Sequence, residues 1–111
     1  MKRFGQVLGI KRECIEEYRR YHVAIWPEIA HAISASGIKN YSIYLDEPSA
    51  LLFSYFEYHG SDAEFGSRMV QLSRAPRMRE WWDLMEAMQV CRPDRANGDW
   101  WTTLPEVFRL D

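Results

Sequence analysis

The hydrophobic pattern changes period after Gly37, and this change constrains the fold more than any other feature of the chain. From position 40 to 46, side chains that face a core alternate with side chains that face solvent, as they do in a half-buried β-strand. A turn sequence follows at 47–49, and the run ALLFSYFEYH at 50–59 has the composition of a second strand. The short separation predicts that the two strands pair as an antiparallel hairpin. The first strand is expected to present Tyr41, Ile43 and Leu45 on one face.

The segments on either side of the hairpin predict two helical crossovers and two further strands. Pro27 is tolerated in the first turn of a helix, so a helix can restart there, and Ser61 with Glu64 matches a capping box. The order β, α, β, β, α, β favours an α+β fold with a four-stranded antiparallel sheet of ferredoxin-like topology and helices on one face. A single domain covering residues 1–111 is expected. The remaining predicted elements are a strand at Phe4–Ile10, a helix between Cys14 and Pro27, helices at Trp26–Ser36, Ser61–Leu72 and Arg77–Met88, and a last strand near Glu106–Leu110.

Charge and apolar content argue against several classes of protein. The 14 Lys+Arg are mixed with 16 Asp+Glu and form no basic face, so nucleic acid is not expected as a partner. The basic start Met1–Phe4 is not followed by an apolar run of signal-peptide or membrane-spanning length, which predicts a cytoplasmic protein without a membrane partner. Cys14 and Cys91 lie far apart without CxxC spacing, which favours reduced thiols used for packing.

Aromatic residues are more numerous than a small core requires. The chain has five Trp, six Tyr and five Phe, and a buried indole N–H or phenol O–H needs a hydrogen-bond partner. Some of these side chains are therefore expected to line a pocket or a subunit interface. The sheet face away from the helices also has to be covered. A second copy of the chain in a twofold dimer, a pocket, or both would cover it.

Tyr18 and His22 form the first candidate site. They are four residues apart, so on a helix a phenol and an imidazole project from the same face and can line one cavity. Histidine can both give and take a proton near neutral pH, since its ordinary pKa is about 6.5. The alternative is that both side chains only pack along an apolar stripe. Of the other histidines, His31 is expected at the surface and His59 in a turn.

Trp81 and Trp82 form the second candidate site. Adjacent helical residues point about 100° apart, so one indole can enter a core while the other faces a cleft. The spacing places Trp82 with Met78 and Met85 on one side of the helix and Trp81 near its edge. Indoles suit the C–H faces of a sugar ring, while Tyr, His and Asp suit its hydroxyls. A tryptophan-rich core or dimer seam is the competing interpretation. No phosphate loop, Rossmann glycine pattern, HExxH or GxSxG motif is present.

Several separated strings resemble one known family. EEYRRYH, IWPE, NYSIYL, LLFSYFE, REWW and the closing LPEVFRL together resemble the L-rhamnose mutarotase family, in order and over nearly the whole chain. The resemblance implies a homodimer of the dimeric α+β barrel fold. It also implies an isomerase that interconverts the α and β anomers of a 6-deoxy-L-hexose, with L-rhamnose as the first candidate, and without a metal or organic cofactor. The stretch from Tyr58 to Arg79 departs most from the family pattern.

The resemblance also implies roles for individual residues. The catalytic, proton-donating histidine of the family corresponds to His22, and the substrate-binding positions correspond to Tyr18, Tyr41, Trp81 and Trp82. Three alternatives stay open at this point. They are the same reaction on L-fucose, a haem-binding protein or cofactor-free monooxygenase of similar fold, and a non-catalytic sugar-binding dimer.

Overall fold

A computed structural model describes all 111 residues. It has five β-strands and four α-helices, with short 3₁₀ turns before the first and third helices. The predicted helices and the two hairpin strands are confirmed to within a few residues. The elements are β1 (Lys2–Ile10), α1 (Ile15–Val23), α2 (Pro27–Ala35), β2 (Ile38–Asp46), β3 (Leu51–Tyr58), α3 (Phe65–Ser73), α4 (Met78–Met88), β4 (Gln89–Val90) and β5 (Thr102–Leu104).

The strands form one antiparallel sheet in the order β2-β3-β1-β4, and β5 pairs with the same edge of β1 as β4 does. The predicted hairpin is present, with Tyr44 opposite Phe53 and Leu45 opposite Leu52. The α+β prediction, with helices on one sheet face, is confirmed, and short β4 and β5 together complete the fourth position of the sheet. The sheet therefore has a face that the helices cover and a face that they leave open.

The last strand was predicted at Glu106–Leu110, and this prediction is wrong. The strand that pairs with β1 is Thr102–Leu104, and no regular structure follows it. Pro105 explains the difference, because proline has no N–H to donate to a sheet ladder and ends the strand before it. The apolar side chains after Pro105 instead stand in solvent: Val107 is 93%, Phe108 78% and Leu110 83% exposed.

The helices begin where the local sequence predicts. Pro27 is the first residue of α2, and the Ser61 hydroxyl accepts a hydrogen bond from the backbone N–H of Glu64, as in a capping box. On α4 the buried face differs from the prediction. Trp81 is buried and Trp82 is only partly buried, so the two exchange the positions expected of them. The buried residues of α4 are Met78, Trp81, Met85 and Met88.

The core lies between the helices and the covered face of the sheet. Ile29 of α2, Met78 of α4 and Leu52 of β3 are all almost fully buried there. Burial of an aliphatic side chain contributes about 1.5–3 kcal/mol, so this layer dominates the stability of the fold. Cys14 and Cys91 are both free thiols, and Cys14 packs against the core. No helix combines the length and the apolar composition that a membrane-spanning segment requires.

Candidate active site

Two adjoining cavities open between the helices and the covered face of the sheet. The larger, of about 810 Å³, lies among α1, α2 and β2, and the smaller, of about 400 Å³, extends toward α4 and the segment before β5. Both volumes are typical of small-molecule sites, which span roughly 300–1,000 Å³. The two cavities share one wall, which consists of Tyr18, His22, Ile33, Ile38, Tyr41, Ile43 and Trp81.

Four of the five predicted site residues belong to this shared wall. Tyr18 and His22 come from α1, Tyr41 from β2 and Trp81 from α4, so three separate elements converge. Trp82 lines only the smaller cavity. The other histidines lie elsewhere: His31 is exposed on α2, and His59 pairs with Glu57 at the end of β3. The surface position predicted for His31 is confirmed, and His59 follows directly after β3 without a regular turn.

His22 is held against Tyr18 by its own helix. The two rings lie 4.3 Å apart between centroids with planes tilted by 34°, as the four-residue spacing predicts. His22 Nδ1 lies 2.8 Å from the backbone oxygen of Tyr18. A carbonyl can only accept, so Nδ1 carries a hydrogen and, in the neutral ring, Nε2 keeps its lone pair. Burial lowers the pKa of His22 below its ordinary value, with the hydrogen bond to Tyr18 opposing in part. The neutral form with a basic Nε2 therefore prevails at neutral pH.

Tyr18 is a buried phenol whose oxygen already has one partner. Its side chain is 5% exposed, and the side-chain amide of Gln89 donates to its hydroxyl oxygen at 3.1 Å. Burial raises the pKa of Tyr18 well above its ordinary value, although the hydrogen bond from Gln89 opposes the shift. Tyr18 therefore stays protonated throughout the neutral range.

A β-bulge in β2 directs Tyr41 into the cleft. Lys39 pairs with Glu57 and Ser42 with Tyr55, so that Asn40 and Tyr41 together oppose a single residue of β3. Asn40 adopts a left-handed conformation, with φ of 52°, which asparagine tolerates better than most residues. The extra residue shifts the alternation by one position. Without it, Ile38 and Tyr41 would point to opposite faces of the sheet.

Tyr41 is partly exposed as a residue, while its hydroxyl is shielded from water. The residue as a whole is 42% exposed and its ring packs against Phe56 at 5.4 Å. Burial alone raises the pKa of its phenol to about 12. No other residue contributes to this shift, so the hydroxyl has no hydrogen-bond partner within the chain.

Trp81 closes the cleft on the side of α4. Its indole meets the rings of Trp26, His22 and Tyr21 edge-on, at centroid distances of 5.2, 5.6 and 6.0 Å. Edge-to-face contacts of this kind contribute about 0.5–1.5 kcal/mol each beyond the area that they bury. Trp26 is covered in turn by the guanidinium of Arg77, 3.9 Å from its ring centroid. The orientation of the Trp81 indole, which forms one wall of the cleft, is therefore fixed by the rings packed around it.

Gln89 and Trp100 belong to the site although the sequence analysis missed the role of both. Both line the smaller cavity, and the indole N–H of Trp100 donates to the side-chain oxygen of Gln89 at 2.9 Å. Trp101 lines the same cavity. No local pattern could have indicated this, because Gln89 reaches Tyr18 across 71 positions of the chain. Nowhere do three or more His, Cys, Asp or Glu side chains cluster as a metal site would require.

An antiparallel sheet with helices on one face and an aromatic cleft between them defines the class to which this protein belongs, the dimeric α+β barrel fold. A solved structure shows the same architecture. The L-rhamnose mutarotase of Formosa agariphila superposes with a TM-score of 0.72 over 100% of both chains, at 24% sequence identity. At that identity the likeness speaks for the fold.

The sequence comparisons identify the family within this class. The family model described as L-rhamnose mutarotase matches residues 3–110. The chain is 35% identical to the L-rhamnose mutarotase of Bacteroides thetaiotaomicron over 100% of both chains, and 35% identical to that of Bacillus subtilis over 100% of both. It is 42% identical to that of Burkholderia ambifaria over 86% of each. The chain belongs to the L-rhamnose mutarotase family, and is accordingly an isomerase acting on carbohydrates.

Proposed function

We propose that this enzyme interconverts the α and β anomers of L-rhamnose. Relatives that match this chain over their whole length are named L-rhamnose mutarotase. The observation that carries the proposal is the shared wall of the two cavities. There a neutral histidine with a free Nε2 stands beside two phenols and an indole in a cleft of suitable size. This favours mutarotation over the haem-binding, monooxygenase and binding-only alternatives.

The chemistry of mutarotation needs the groups that the cleft supplies. The pyranose opens at the bond between C1 and O5, the aldehyde rotates, and the ring closes on its opposite face. Opening requires a proton delivered to O5 and a proton removed from the C1 hydroxyl, and closure reverses both transfers. In the proposal, His22 Nε2 is the principal acid and base: unprotonated at rest, it takes the proton of the C1 hydroxyl as the ring opens and returns it as the ring closes. The phenol of Tyr18 or Tyr41, which is protonated at rest, relays the second proton to O5 and takes it back on closure.

The remaining residues of the wall bind and orient the sugar. Tyr18 and Tyr41 face the cleft with buried hydroxyls, which can hydrogen-bond to sugar oxygens. Trp81 offers a fixed apolar surface to the ring and to the C6 methyl, and Trp82 extends this surface into the smaller cavity. A 6-deoxy sugar carries one apolar methyl among its hydroxyls, so a cleft of this mixed character suits it.

Replacement of the histidine tests the mechanism. We expect His22→Ala to lower the rate of anomer exchange, measured by saturation-difference NMR, by at least a hundredfold, since a positioned acid or base contributes about 10²–10⁴ in rate. The matched control is His31→Ala, which removes an exposed histidine outside both cavities and should leave exchange unchanged. Exchange at the normal rate in a folded His22→Ala protein would remove His22 from this role.

The identity of the sugar is tested by a side-by-side measurement. L-Rhamnose and L-fucose differ in configuration at two ring carbons, so few hydrogen bonds separate them. A site that hydrogen-bonds a hydroxyl discriminates strongly against a sugar that presents it elsewhere. We expect faster exchange of L-rhamnose than of L-fucose at equal enzyme concentration. The reverse order would assign the chain to L-fucose without changing the reaction.

We further propose that the enzyme is a homodimer that joins through the open face of the sheet. Phe53 and Tyr44 on that face are 40% and 65% exposed, and the apolar tail after Pro105 lacks cover in one chain. Light scattering should give twice the chain mass of 13.2 kDa. Phe53→Asp should shift the enzyme to monomer, whereas Val70→Asp, an equally drastic change on exposed α3, should not. A cytoplasmic location remains a prediction.

A further inference from the structure

A hydrogen-bonded chain leads from Trp100 through Gln89 to Tyr18. Trp100 Nε1 lies 2.9 Å from Gln89 Oε1, and Gln89 Nε2 lies 3.1 Å from the Tyr18 hydroxyl. Gln89 is buried at the point where α4 passes into β4, and its backbone pairs with Ile10 of β1. The middle member of this chain is thus fixed by the sheet, and both of its side-chain polar groups are used.

The indole of Trp100 sets the direction of the whole chain. An amide side chain can in principle sit either way round, and its orientation has to be decided by its partners. An indole N–H can only donate, so the Gln89 atom that faces Trp100 must be the oxygen. The nitrogen of Gln89 therefore faces Tyr18 and donates to it. The Tyr18 oxygen acts as the acceptor and its own hydrogen remains free.

That free hydrogen is directed to no other residue. Gln89 is the only hydrogen-bond partner of the Tyr18 hydroxyl within the chain. The phenol lines both cavities, beside His22 and Tyr41. Because Tyr18 stays protonated at neutral pH, a ligand in the cleft meets it as a donor, and an oxygen of the ligand is the natural acceptor.

We infer that Gln89 and Trp100 are positioning residues that make Tyr18 a hydrogen-bond donor to an oxygen of the bound sugar. They act through Tyr18 and not on the sugar itself. The inference rests on the proposed function for its effect on anomer exchange. The direction of the chain of hydrogen bonds is a property of the protein alone, so it can be tested with and without a sugar.

Reversal of the hydrogen bond tests the inference most directly. The variant Gln89→Glu keeps the shape of the side chain and its acceptor for Trp100, but as a carboxylate it must accept from Tyr18. The hydrogen of Tyr18 is then drawn away from the cleft. At pH 8 we expect Gln89→Glu to exchange anomers at least tenfold more slowly than the wild type, and more slowly than Gln89→Leu, which only removes the donor.

The pH dependence separates positioning from packing. When the carboxyl of Gln89→Glu is protonated, it can donate to Tyr18 as the amide does, so its exchange rate relative to wild type should recover toward pH 4.5. The matched control is Gln71→Glu, an exposed position on α3 outside both cavities, which should exchange normally at every pH. A Gln89→Glu enzyme as active as wild type at pH 8, or faster than Gln89→Leu there, would overturn the inference.

A second measurement requires no sugar and so separates this inference from the proposed function. The indole N–H signal of Trp100 in a ¹H–¹⁵N spectrum is identified by its loss in Trp100→Phe. We expect this signal to shift in Gln89→Leu and to stay hydrogen-bonded in Gln89→Glu. An unshifted signal in Gln89→Leu would show that the hydrogen bond does not exist in solution, whatever the activity of the wild type. If the wild type fails to exchange anomers but the Trp100 signal shifts in Gln89→Leu as expected, only the proposed function is contradicted.

Discussion

The two faces of the sheet differ in how far their polar side chains are hydrogen-bonded to one another. Beside the open face, Glu57 accepts hydrogen bonds from Tyr55 at 2.6 Å, His59 at 2.6 Å and Asn40 at 2.9 Å. These bonds, that from Tyr55 most of all, lower the pKa of Glu57 to about 2. On the covered face, the hydroxyl of Tyr41 has no partner. The side chains around Glu57 bond one another, although Arg3 Nε on the paired strand is buried without a hydrogen-bond partner. The cleft presents hydroxyl groups that can still bond a ligand.

This difference indicates which face is functional. A buried polar group without a partner costs free energy, so native proteins keep few of them without a reason. The cleft brings together three groups that can each form a further hydrogen bond, the hydroxyl hydrogens of Tyr18 and Tyr41 and Nε2 of His22. A polyhydroxylated ligand would complete all three. The cluster around Glu57 contains the same residue types, tyrosine and histidine, and offers a ligand little because its hydrogen bonds are already made.

The largest expected difference between the two faces is in the rate of anomer exchange. Two variants, each of which removes one tyrosine hydroxyl from one face, measure it. Tyr41→Phe should lower the anomer exchange rate by tenfold or more, because it removes a donor aimed at the sugar. Tyr55→Phe makes the same change on β3, where the hydroxyl donates to Glu57. It should leave the exchange rate within about twofold of the wild-type rate. Saturation-difference NMR on both variants checks the pair. Equal losses in the two would mean that the faces do not differ in the way described.

A smaller effect is expected at Asn40, where the two faces meet. Its side chain bonds Glu57 beside the open face while its left-handed backbone directs Tyr41 into the cleft. Asn40→Val should destabilise the fold by about 1–2 kcal/mol, since a β-branched residue resists that conformation, whereas Asn40→Gly adopts it freely. Urea unfolding measures both. If valine proves as stable as glycine, the bulge is not held by the conformation of this residue.

The smallest effects concern stability against pH, and the two faces titrate in different ranges. The pKa of Glu57 falls from its ordinary value of about 4.5 to about 2 on folding, so its contribution is complete above pH 4.5 and is lost as the pH falls toward 2. The pKa of His22 is also lowered, so the unfolded chain binds its proton first and stability declines below about pH 6.5. Unfolding midpoints measured across pH check both contributions. In His22→Ala the midpoint should no longer decline just below pH 6.5, and in Glu57→Gln it should no longer decline between pH 4.5 and 2.

The pH dependence of catalysis should also reflect the lowered pKa of His22. Because the pKa of His22 lies below its ordinary value of about 6.5, the acid limb of the kcat/KM profile should fall below that pH. A limb centred above pH 6.5 would contradict the burial of His22 in the cleft. Gln71→Glu is a suitable control, because it changes the surface charge without touching either cavity.

Much of the fold could be predicted because it depends on local signals. The alternation at 40–46 predicts the hairpin, Pro27 predicts the start of α2, and Ser61 predicts the capped turn before α3. The four-residue spacing of Tyr18 and His22 places their rings in contact on α1. Each of these signals acts within a few residues, where the backbone geometry of one element settles the outcome.

Predictions failed where competing positions were nearly equivalent by local criteria. The tail at 106–110 is as rich in apolar residues as a short strand, but the pairing edge of β1 is taken by Thr102–Leu104 and Pro105 interrupts the ladder. Trp81 and Trp82 both fit an amphipathic pattern on α4, and only the packing of Trp26 and Tyr21 against one of them decides which is buried. Helical periodicity cannot separate neighbours that lie on the two edges of one apolar face.

The amino-acid sequence by itself determined the first strand, the helices and the hairpin, the pairing of Tyr18 with His22, and the chemistry available to the cleft, because those follow from spacing within one element. The tertiary structure alone decided that a bulge at Asn40 brings Ile38 onto the same face as Tyr41, and that Gln89 and Trp100 reach Tyr18. These contacts join segments far apart in the chain. Their geometry follows from how the sheet and helices pack together, which no short stretch of sequence encodes.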